Sequence, residues 1–261
     1  MLSRRRLLRL ALGLALVPAR ALHAAIDTRL GNFSADVGIL YGVLGFHLAG
    51  TIDERIDRAA GRYEVKVRGQ GDGIENVIDS EGRLLAGRWA PVRTRSRFLV
   101  QGRESTLDIG YDHAARRVEY HSRSETFFTR RIRATDDVVT VPDGVYVDDV
   151  ISATLNYADQ LWWAEPDGVL RTHVVRRHRP KGEGADDVQR LYRAELVPFV
   201  LRVAPDAETG QPTALFDITR FSSWAREDRP ARIVFGPDRR PETITTSLML
   251  GTSVAIRISG S

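Results

Sequence analysis

The feature that most constrains this chain is the alternation of apolar and polar residues in one short segment after another. In residues 61–71, GRYEVKVRGQG, the apolar side chains of Tyr63, Val65 and Val67 are separated by charged residues. A period of two is typical of an antiparallel strand with one buried face and one solvated face. The sequence therefore predicts a succession of β-strands.

Turn-forming residues separate the predicted strands. They occupy residues 69–73 (GQGDG), 80–82 (SEG), 101–104 (QGRE), 112–115 (DHAA) and 236–238 (GPD). GQGDG superficially resembles a phosphate-binding loop, but no helical pattern follows it, so we predict a turn or a bulge there. Residues 176–189, charged and rich in glycine, predict a mobile hairpin tip. The alternation returns at Val254, Ile256 and Ile258, which predict a last strand.

One segment departs from the strand pattern. Residues 146–163 space Val150, Ile151 and Leu155 as a helix would, and Asp148 or Asp149 suits a helix N-cap. We expect one helix near residues 147–161, or a helical hairpin, packed on the sheet.

These patterns predict a mainly β fold. We expect residues 25–261 to form a single domain, either a large curved antiparallel sheet or a partly closed β-barrel, with one helix. A sheet of this size must curl to hide its apolar face. The chain has no cysteine, so disulfides, thiolate metal sites and cysteine nucleophiles are excluded.

Residues 1–24 have the layout of a secretory signal peptide. Four arginines lie within residues 4–9, and the apolar run at 10–17 is shorter than the ~20 residues needed to span a bilayer. We expect cleavage after Ala24, with residues 19–21 as a second candidate site. We therefore expect a periplasmic or envelope protein with no transmembrane segment after cleavage.

The export route has two alternatives. Residues 3–9, SRRRLLR, match the twin-arginine pattern, whereas an arginine-rich Sec signal explains the same residues. The chain has 38 basic and 34 acidic residues, and removing five arginines with residues 1–24 leaves 33 and 34. Such a balance gives no reason to expect nucleic-acid binding.

Five histidines lie beyond residue 24, and we expect none of them to bind a metal ion. His173 and His178 have an odd separation, which puts them on opposite faces of a strand. We expect His113 in a turn and His121 at a strand end, both in contact with solvent. His47 lies in an apolar, glycine-rich stretch and is predicted to be a hydrogen-bonded core residue.

The acidic residues Asp143, Asp148 and Asp149 could form a general acid–base set. Turn and cap formation explains the same residues without a substrate. The sequence has no Gly-x-Ser-x-Gly elbow and no His-Glu-x-x-His zinc motif. We therefore assign no catalytic, cofactor-binding or metal-binding residues and expect no cofactor.

Aromatic residues allow two interpretations. The set comprises Tyr41, Phe46, Trp89, Phe127, Phe128, Trp162, Trp163 and Trp224. They can fill the core and seal the helix against the sheet. Alternatively, some of them line a groove that holds an apolar ligand.

Six segments, taken in order, carry a resemblance to a known family. They are LYGVLGFHLAG (40–50), YEVKVRGQGDG (63–73), SEGRLLAGRWAP (80–91), LDIGYD (107–112), VPDGVYVDDVISATLNY (141–157) and FSSWAREDRPARIVFGPDRRPETI (221–244). Their order and spacing resemble the exported bacterial proteins of domain of unknown function 3108. The resemblance implies a mostly β, periplasmic or envelope-associated protein and offers no catalytic residues.

Two classes of function follow from these observations. The first is a non-catalytic envelope factor that binds an apolar molecule or assists the assembly of other envelope proteins. The alternative is a carboxylate-dependent hydrolase that acts on cell-wall or other glycans. Scaffolding through exposed sheet edges remains a third possibility.

Overall fold

The computed structural model of the protein describes residues 26–39, 44–126, 129–180, 182–184, 186–219, 228–248 and 252–260. Within these ranges the chain forms fourteen β-strands and one α-helix. The strands are β1 (Asp27–Ile39), β2 (Leu44–Asp57), β3 (Arg62–Gly71), β4 (Ile74–Leu85), β5 (Arg88–Val100), β6 (Arg103–Asp112), β7 (Arg117–Glu125), β8 (Ile132–Thr140), β9 (Val169–Arg177), β10 (Ala194–Pro205), β11 (Pro212–Phe216), β12 (Ala231–Phe235), β13 (Pro241–Ser247) and β14 (Ser253–Gly260). The helix, α1, spans Val150–Ala158. The predicted mainly β fold with one helix is confirmed.

All of these strands belong to one sheet, in the order β8-β7-β6-β5-β4-β3-β2-β1-β14-β13-β12-β11-β10-β9. Every neighbouring pair is antiparallel. Strands β1 and β14 pair from Gly31–Gly260 to Gly38–Ser253. That pairing joins two meanders, β1–β8 and β9–β14, into a single sheet.

The two outer strands, β8 and β9, bring the sheet close to a closed barrel. Side chains connect the two ends of the sheet: the Tyr120 hydroxyl accepts from the Arg177 backbone N–H at 3.1 Å, and Asp137 accepts from the Ala194 N–H at 2.8 Å. Val147, ahead of the helix, forms a parallel bridge with His173 of β9. The partly closed barrel expected from the sequence is therefore observed.

Helix α1 packs against the concave face of the sheet and contacts both meanders. Leu155 lies in a cluster with residues of β2, β3 and β5, namely Ile56, Tyr63, Val65 and Trp89. Ala153 and Tyr157 pack against residues of β9–β12, namely Leu170, Leu201, Ala214, Ile233 and Phe235. Burial of these side chains holds the helix across the inside of the barrel.

The convex face carries ion pairs between neighbouring strands. Arg68 of β3 pairs with Asp79 of β4 at 2.6 Å, and Arg93 of β5 pairs with Asp108 of β6, also at 2.6 Å. Exposed pairs of this kind stabilise a fold by about 0–1 kcal/mol each. No helix among the described residues is long and apolar enough to cross a membrane.

Most predicted turns are found. Asp72-Gly73 and Gln101-Gly102 close two-residue hairpins, with φ values of 44° and 73° in the first and 49° and 75° in the second. Positive φ at both positions is typical of the tight turns that match strand twist. Loops at 113–116 and 236–240 connect β6 to β7 and β12 to β13.

The predicted turn at residues 80–82 is wrong, because β4 runs through it and the chain turns at residues 86–87 instead. Gly82 is needed for a different reason. A Cβ atom at Gly82 would lie 2.3 Å from Cε1 of Tyr63 on β3, so only glycine leaves room for the ring. The strand also contains a register shift between Glu81 and Gly82.

The predicted hairpin tip at 176–189 lies in the connection between β9 and β10, which pair antiparallel. Arg177 donates to both oxygens of Glu183, at 2.8 and 2.7 Å, so part of this connection is fastened to the end of β9. Its mobility stays a prediction.

Candidate functional site

The start of α1 is fixed by Asp149, one of the two N-cap candidates. Its Oδ1 accepts from the Ser152 N–H at 2.6 Å, and the Asp149 N–H donates to Ser152 Oγ at 3.0 Å. This reciprocal capping box satisfies two otherwise free N–H groups. Asp149 Oδ2 also accepts from Ser80 at 2.5 Å and from Thr94 at 2.6 Å, which ties the cap to β4 and β5.

Asp148 lies beside the cap and is 2 % exposed. Its Oδ2 accepts from Arg88 and from Thr172, both at 2.5 Å. Its Oδ1 accepts from Ser152 at 3.0 Å and from Asn156 at 3.2 Å. Burial raises the pKa of the Asp148 carboxyl, while the Arg88 guanidinium opposes that shift. We call Ser80, Arg88, Thr94, Asp148, Asp149, Ser152, Asn156 and Thr172 the polar cluster.

Asn156 fastens the middle of α1 to β5. Its side-chain amide donates to the Trp89 carbonyl at 2.8 Å, and its Oδ1 accepts from the Trp89 N–H at 2.8 Å. The Trp89 indole donates to Asp159, the helix C-cap residue, at 2.8 Å. Arg58 donates to both oxygens of Asp159, at 2.6 and 3.0 Å. The helix is therefore held along its whole length.

The three candidate acid–base residues have separate surroundings. Asp143 is exposed and pairs with Arg116, outside the polar cluster. Both oxygens of Asp148 and both oxygens of Asp149 accept hydrogen bonds from the protein. Helix capping and helix attachment therefore explain the presence of Asp148 and Asp149, and no substrate is needed to explain them.

A groove with a volume of about 620 Å³ lies on another side of α1. It is bordered by the helix and by strands β1, β2, β3, β13 and β14. Its apolar wall consists of Ile52, Val67, Val150, Ile151, Ile244 and Ile258. We call this space the groove.

Charged residues form one part of the groove lining. Arg240 donates to Glu54 Oε1 at 2.7 Å, and Arg29 pairs with Asp238. Glu54 Oε2 is buried and has no hydrogen-bond partner among the residues that the structure describes. Burial raises the pKa of the Glu54 carboxyl, and the positive charges of Arg240 and Arg29 oppose the rise.

A smaller cavity of about 310 Å³ lies at the polar cluster, lined in part by Arg88, His113, Arg116 and Tyr146. Several of its polar groups have protein partners. Arg88 binds Asp148 and lies 4.5 Å from the centre of the Tyr146 ring, and His113 contacts the Pro91 carbonyl at 2.7 Å. The groove is therefore the better candidate for a ligand site.

The aromatic residues divide between the two interpretations unevenly. Trp89 and Trp162 are buried in the core, at 2 % and 5 % exposure, and neither lines the groove. Phe46 is half-buried, while Trp163 is 80 % exposed. Tyr41, Phe127, Phe128 and Trp224 lie outside the described residues. The core interpretation holds for Trp89 and Trp162, and aliphatic residues form the groove wall.

The prediction for His47 is wrong. Its side chain is exposed and its Nδ1 lies 2.8 Å from Asp36 Oδ1 on β1. The neighbouring residue Leu48 is buried, so the alternation of β2 turns His47 outward.

The other histidines are dispersed. His121 contacts Asp136 within β7 and β8, and His178 contacts Glu195 after the end of β9. His173 lies within β9 and His113 in the β6–β7 loop. Among the described residues, no three His, Cys, Asp or Glu side chains are grouped so that they could hold a metal ion.

Sequence reasoning missed Glu54 and Arg240. A signal for Glu54 is present in residues 51–57, TIDERID, because the alternation that places Ile52 and Ile56 inward also places Glu54 inward. A charged residue on an apolar face is the informative exception. Arg240 follows the turn after β12 and meets Glu54 only through the fold.

No family model matches the chain, and no curated protein matches it. Among solved structures, the chain is similar to a β-barrel-like protein of domain of unknown function 1849 from Brucella abortus. The two are 11 % identical with a TM-score of 0.38, over 91 % of this chain and 100 % of that chain.

Proposed function

We propose that this protein is an exported, non-catalytic binding protein that holds an apolar small molecule in the groove. The observation that carries the proposal is the groove's apolar wall beside α1. Ligand sites are typically concave, mostly apolar and about 300–1,000 Å³ in volume, and the groove falls in that range. A few charged groups at the lining suit the orientation of a bound molecule.

The attachment of α1 supports a preformed site. The polar cluster fixes the helix from one side, so Val150, Ile151 and Thr154 stand at the groove without help from a ligand. A site that needs little ordering on binding loses less affinity to entropy. The contacts of Asp143, Asp148 and Asp149 give no support to the hydrolase alternative.

The location and the family are part of the same proposal. Export is supported by residues 1–24, which lie outside the described residues, and assignment to domain of unknown function 3108 by the order of the six segments. Replacing Arg4 and Arg5 by lysine tests the twin-arginine route. Retention of the precursor in the cytoplasm supports that route, and unchanged export assigns the signal to Sec.

Filling the groove tests the binding proposal. Ile244→Trp places an indole in the groove, whereas Thr245→Trp places one on the opposite face of the same strand. The fluorescent apolar amine N-phenyl-1-naphthylamine is titrated into each variant and the wild type. We expect binding to the wild type and to Thr245→Trp, and at least about tenfold weaker binding to Ile244→Trp, as loss of 1.4 kcal/mol would give.

Circular dichroism and urea unfolding establish that both variants are folded before they are compared. No binding to the wild type, or equal binding to the two tryptophan variants, would contradict the proposal.

A further inference from the structure

We propose that the molecule held in the groove has a head group that donates a hydrogen bond, a hydroxyl or an ammonium, and that Glu54 accepts it. This inference rests on the proposed function and adds the chemical class of the ligand. Glu54 is then a ligand-binding residue, and the hydrocarbon part of the ligand packs against the aliphatic wall of the groove.

The first support is the incomplete hydrogen bonding of Glu54. Its side chain is 13 % exposed, and Arg240 reaches only Oε1, at 2.7 Å. The other oxygen, Oε2, is buried and receives no hydrogen bond from the described part of the chain. Buried carboxylate oxygens in folded proteins nearly always have a donor, so we expect one from beyond the described residues, and the ligand in the groove is the donor that we propose.

The second support is the charge of the lining. Three carboxylates, those of Glu54, Asp238 and Glu242, and two guanidiniums, those of Arg29 and Arg240, border the groove. Both guanidiniums already bind carboxylates: Arg29 pairs with Asp238, and Arg240 pairs with Glu54. An anionic head group would therefore meet an excess of negative charge and engaged cations, whereas a donor that reaches Glu54 meets a carboxylate oxygen that accepts no hydrogen bond from the described residues.

The third support is the position of Glu54 relative to the apolar wall. Ile52 lies two residues before Glu54 on the same face of β2, and Gly31 of β1 faces Ile52. Ile258 and Ile244 continue the wall on β14 and β13. A hydrocarbon chain along these residues would bring its polar end to Glu54.

Three probes with the same chain separate the head-group classes: 1-decylamine, 1-decanol and decanoate. Each is titrated into the purified full-length protein by calorimetry, below its aggregation concentration. We expect the amine and the alcohol to bind about tenfold more tightly than decanoate, the effect of one hydrogen bond to a charged acceptor.

Two variants of Glu54 and one control test whether the difference in affinity between the probes comes from Glu54. Glu54→Gln keeps an acceptor oxygen for Arg240 and removes the charge, while Glu54→Leu removes the acceptor. Glu64→Gln alters a glutamate on the outward face of β3 and should bind like the wild type. We expect Glu54→Leu to bind all three probes with similar affinity. A larger loss for the amine than for the alcohol in Glu54→Gln identifies an ammonium, and an equal loss identifies a hydroxyl.

The outcomes distinguish this inference from the proposed function. If none of the probes binds the wild type, the proposed function fails. If the probes bind equally well and Glu54→Gln, which retains the contact with Arg240, changes nothing, the head-group assignment is wrong while the groove remains a binding site. Tightest binding of decanoate would also overturn the assignment.

Discussion

The two sides of α1 are built in opposite ways. Ser152 and Asn156 belong to the polar cluster, where hydrogen bonds between protein groups engage both oxygens of Asp148 and of Asp149. Val150 and Thr154 lie about half a turn away and border the groove, where Glu54 keeps one unpartnered oxygen. The same nine-residue helix is thus attached on one face and open on the other.

Hydrogen bonding distinguishes the polar cluster from the groove better than burial or charge does. Buried charges and pKa shifts occur on both sides of the helix, in Asp148 and in Glu54. What separates them is whether the protein supplies all of the partners. Pairing of both oxygens of Asp148 and of Asp149 within the protein accounts for their role in holding α1, whereas the unpartnered oxygen of Glu54 supports the proposed ligand site.

The largest effect is expected from breaking the buried ion pair of the polar cluster. Asp148→Ala leaves the Arg88 guanidinium buried without a countercharge, which should lower the free energy of unfolding by about 3–5 kcal/mol. Urea unfolding followed by circular dichroism measures the loss. Asp143→Ala removes an exposed carboxylate that pairs with Arg116 and should lose only about 0–1 kcal/mol. Similar losses in the two variants would remove the distinction between these carboxylates.

The next effect compares the two faces of α1 directly. Asn156→Ala leaves the buried N–H and carbonyl of Trp89 without their partners, and we expect a loss of about 2–3 kcal/mol. Thr154→Ala, on the groove side, should change the free energy of unfolding by less than about 0.5 kcal/mol. The same unfolding assay applies. An equally destabilising Thr154→Ala would show that the groove face also attaches the helix.

The pH dependence of the free energy of unfolding tests whether water is excluded from the surroundings of the polar cluster. Tyr63 contacts Ser80 at 3.3 Å, and burial raises the pKa of the Tyr63 and Tyr111 phenols well above 10. The unfolded chain releases these protons near pH 10 while the folded chain keeps them. The contribution of these two tyrosines to the free energy of unfolding is therefore fully present below about pH 10. Above that pH the free energy of unfolding falls by up to about 1.4 kcal/mol per pH unit for each tyrosine.

Unfolding free energies measured from pH 8 to pH 12 give this slope. Tyr111→Phe should make the slope of the unfolding free energy against pH shallower, by the contribution of one tyrosine. A Tyr111→Phe variant with the slope of the wild type would contradict the expected exclusion of water.

The smallest effect on stability comes from the groove. Val150 is 65 % exposed, so Val150→Ser should leave the free energy of unfolding within about 0.5 kcal/mol of the wild type. Binding of the apolar naphthylamine should weaken about fivefold, because the ligand loses contact with apolar surface. Val138→Ser, at an exposed valine of β8 outside the groove, serves as the matched control. Equal affinities in the two variants would indicate that the ligand does not touch α1.

Local sequence patterns carried much of the fold. The alternation of Tyr63, Val65 and Val67 gave the correct buried face of β3, and Asp149 was among the two residues proposed as the N-cap. Both are local properties, since a strand's faces and a helix's first turn depend on neighbours in the chain. Gly82 shows the limit: its glycine is required by the ring of Tyr63 on another strand, so the local turn reading failed.

The candidate site depended on contacts that no local pattern contains. Ile244 and Ile258 meet Ile52 because β1 pairs with β14, which brings opposite ends of the chain together. Arg240 and Glu54 lie 186 residues apart in sequence. The alternation of β2 shows only that Glu54 points inward. Its contact with Arg240 and its position at the groove follow from the fold.

The most direct test of the central claim is mass spectrometry of organic extracts from the native protein, purified gently without detergent. The wild type and Ile244→Trp are extracted in parallel. We expect a stoichiometric apolar molecule with a hydroxyl or amine head group in the wild type and its loss from Ile244→Trp. The same molecule in equal amount in both extracts, or no such molecule in either, would contradict the assignment of the groove as a ligand site.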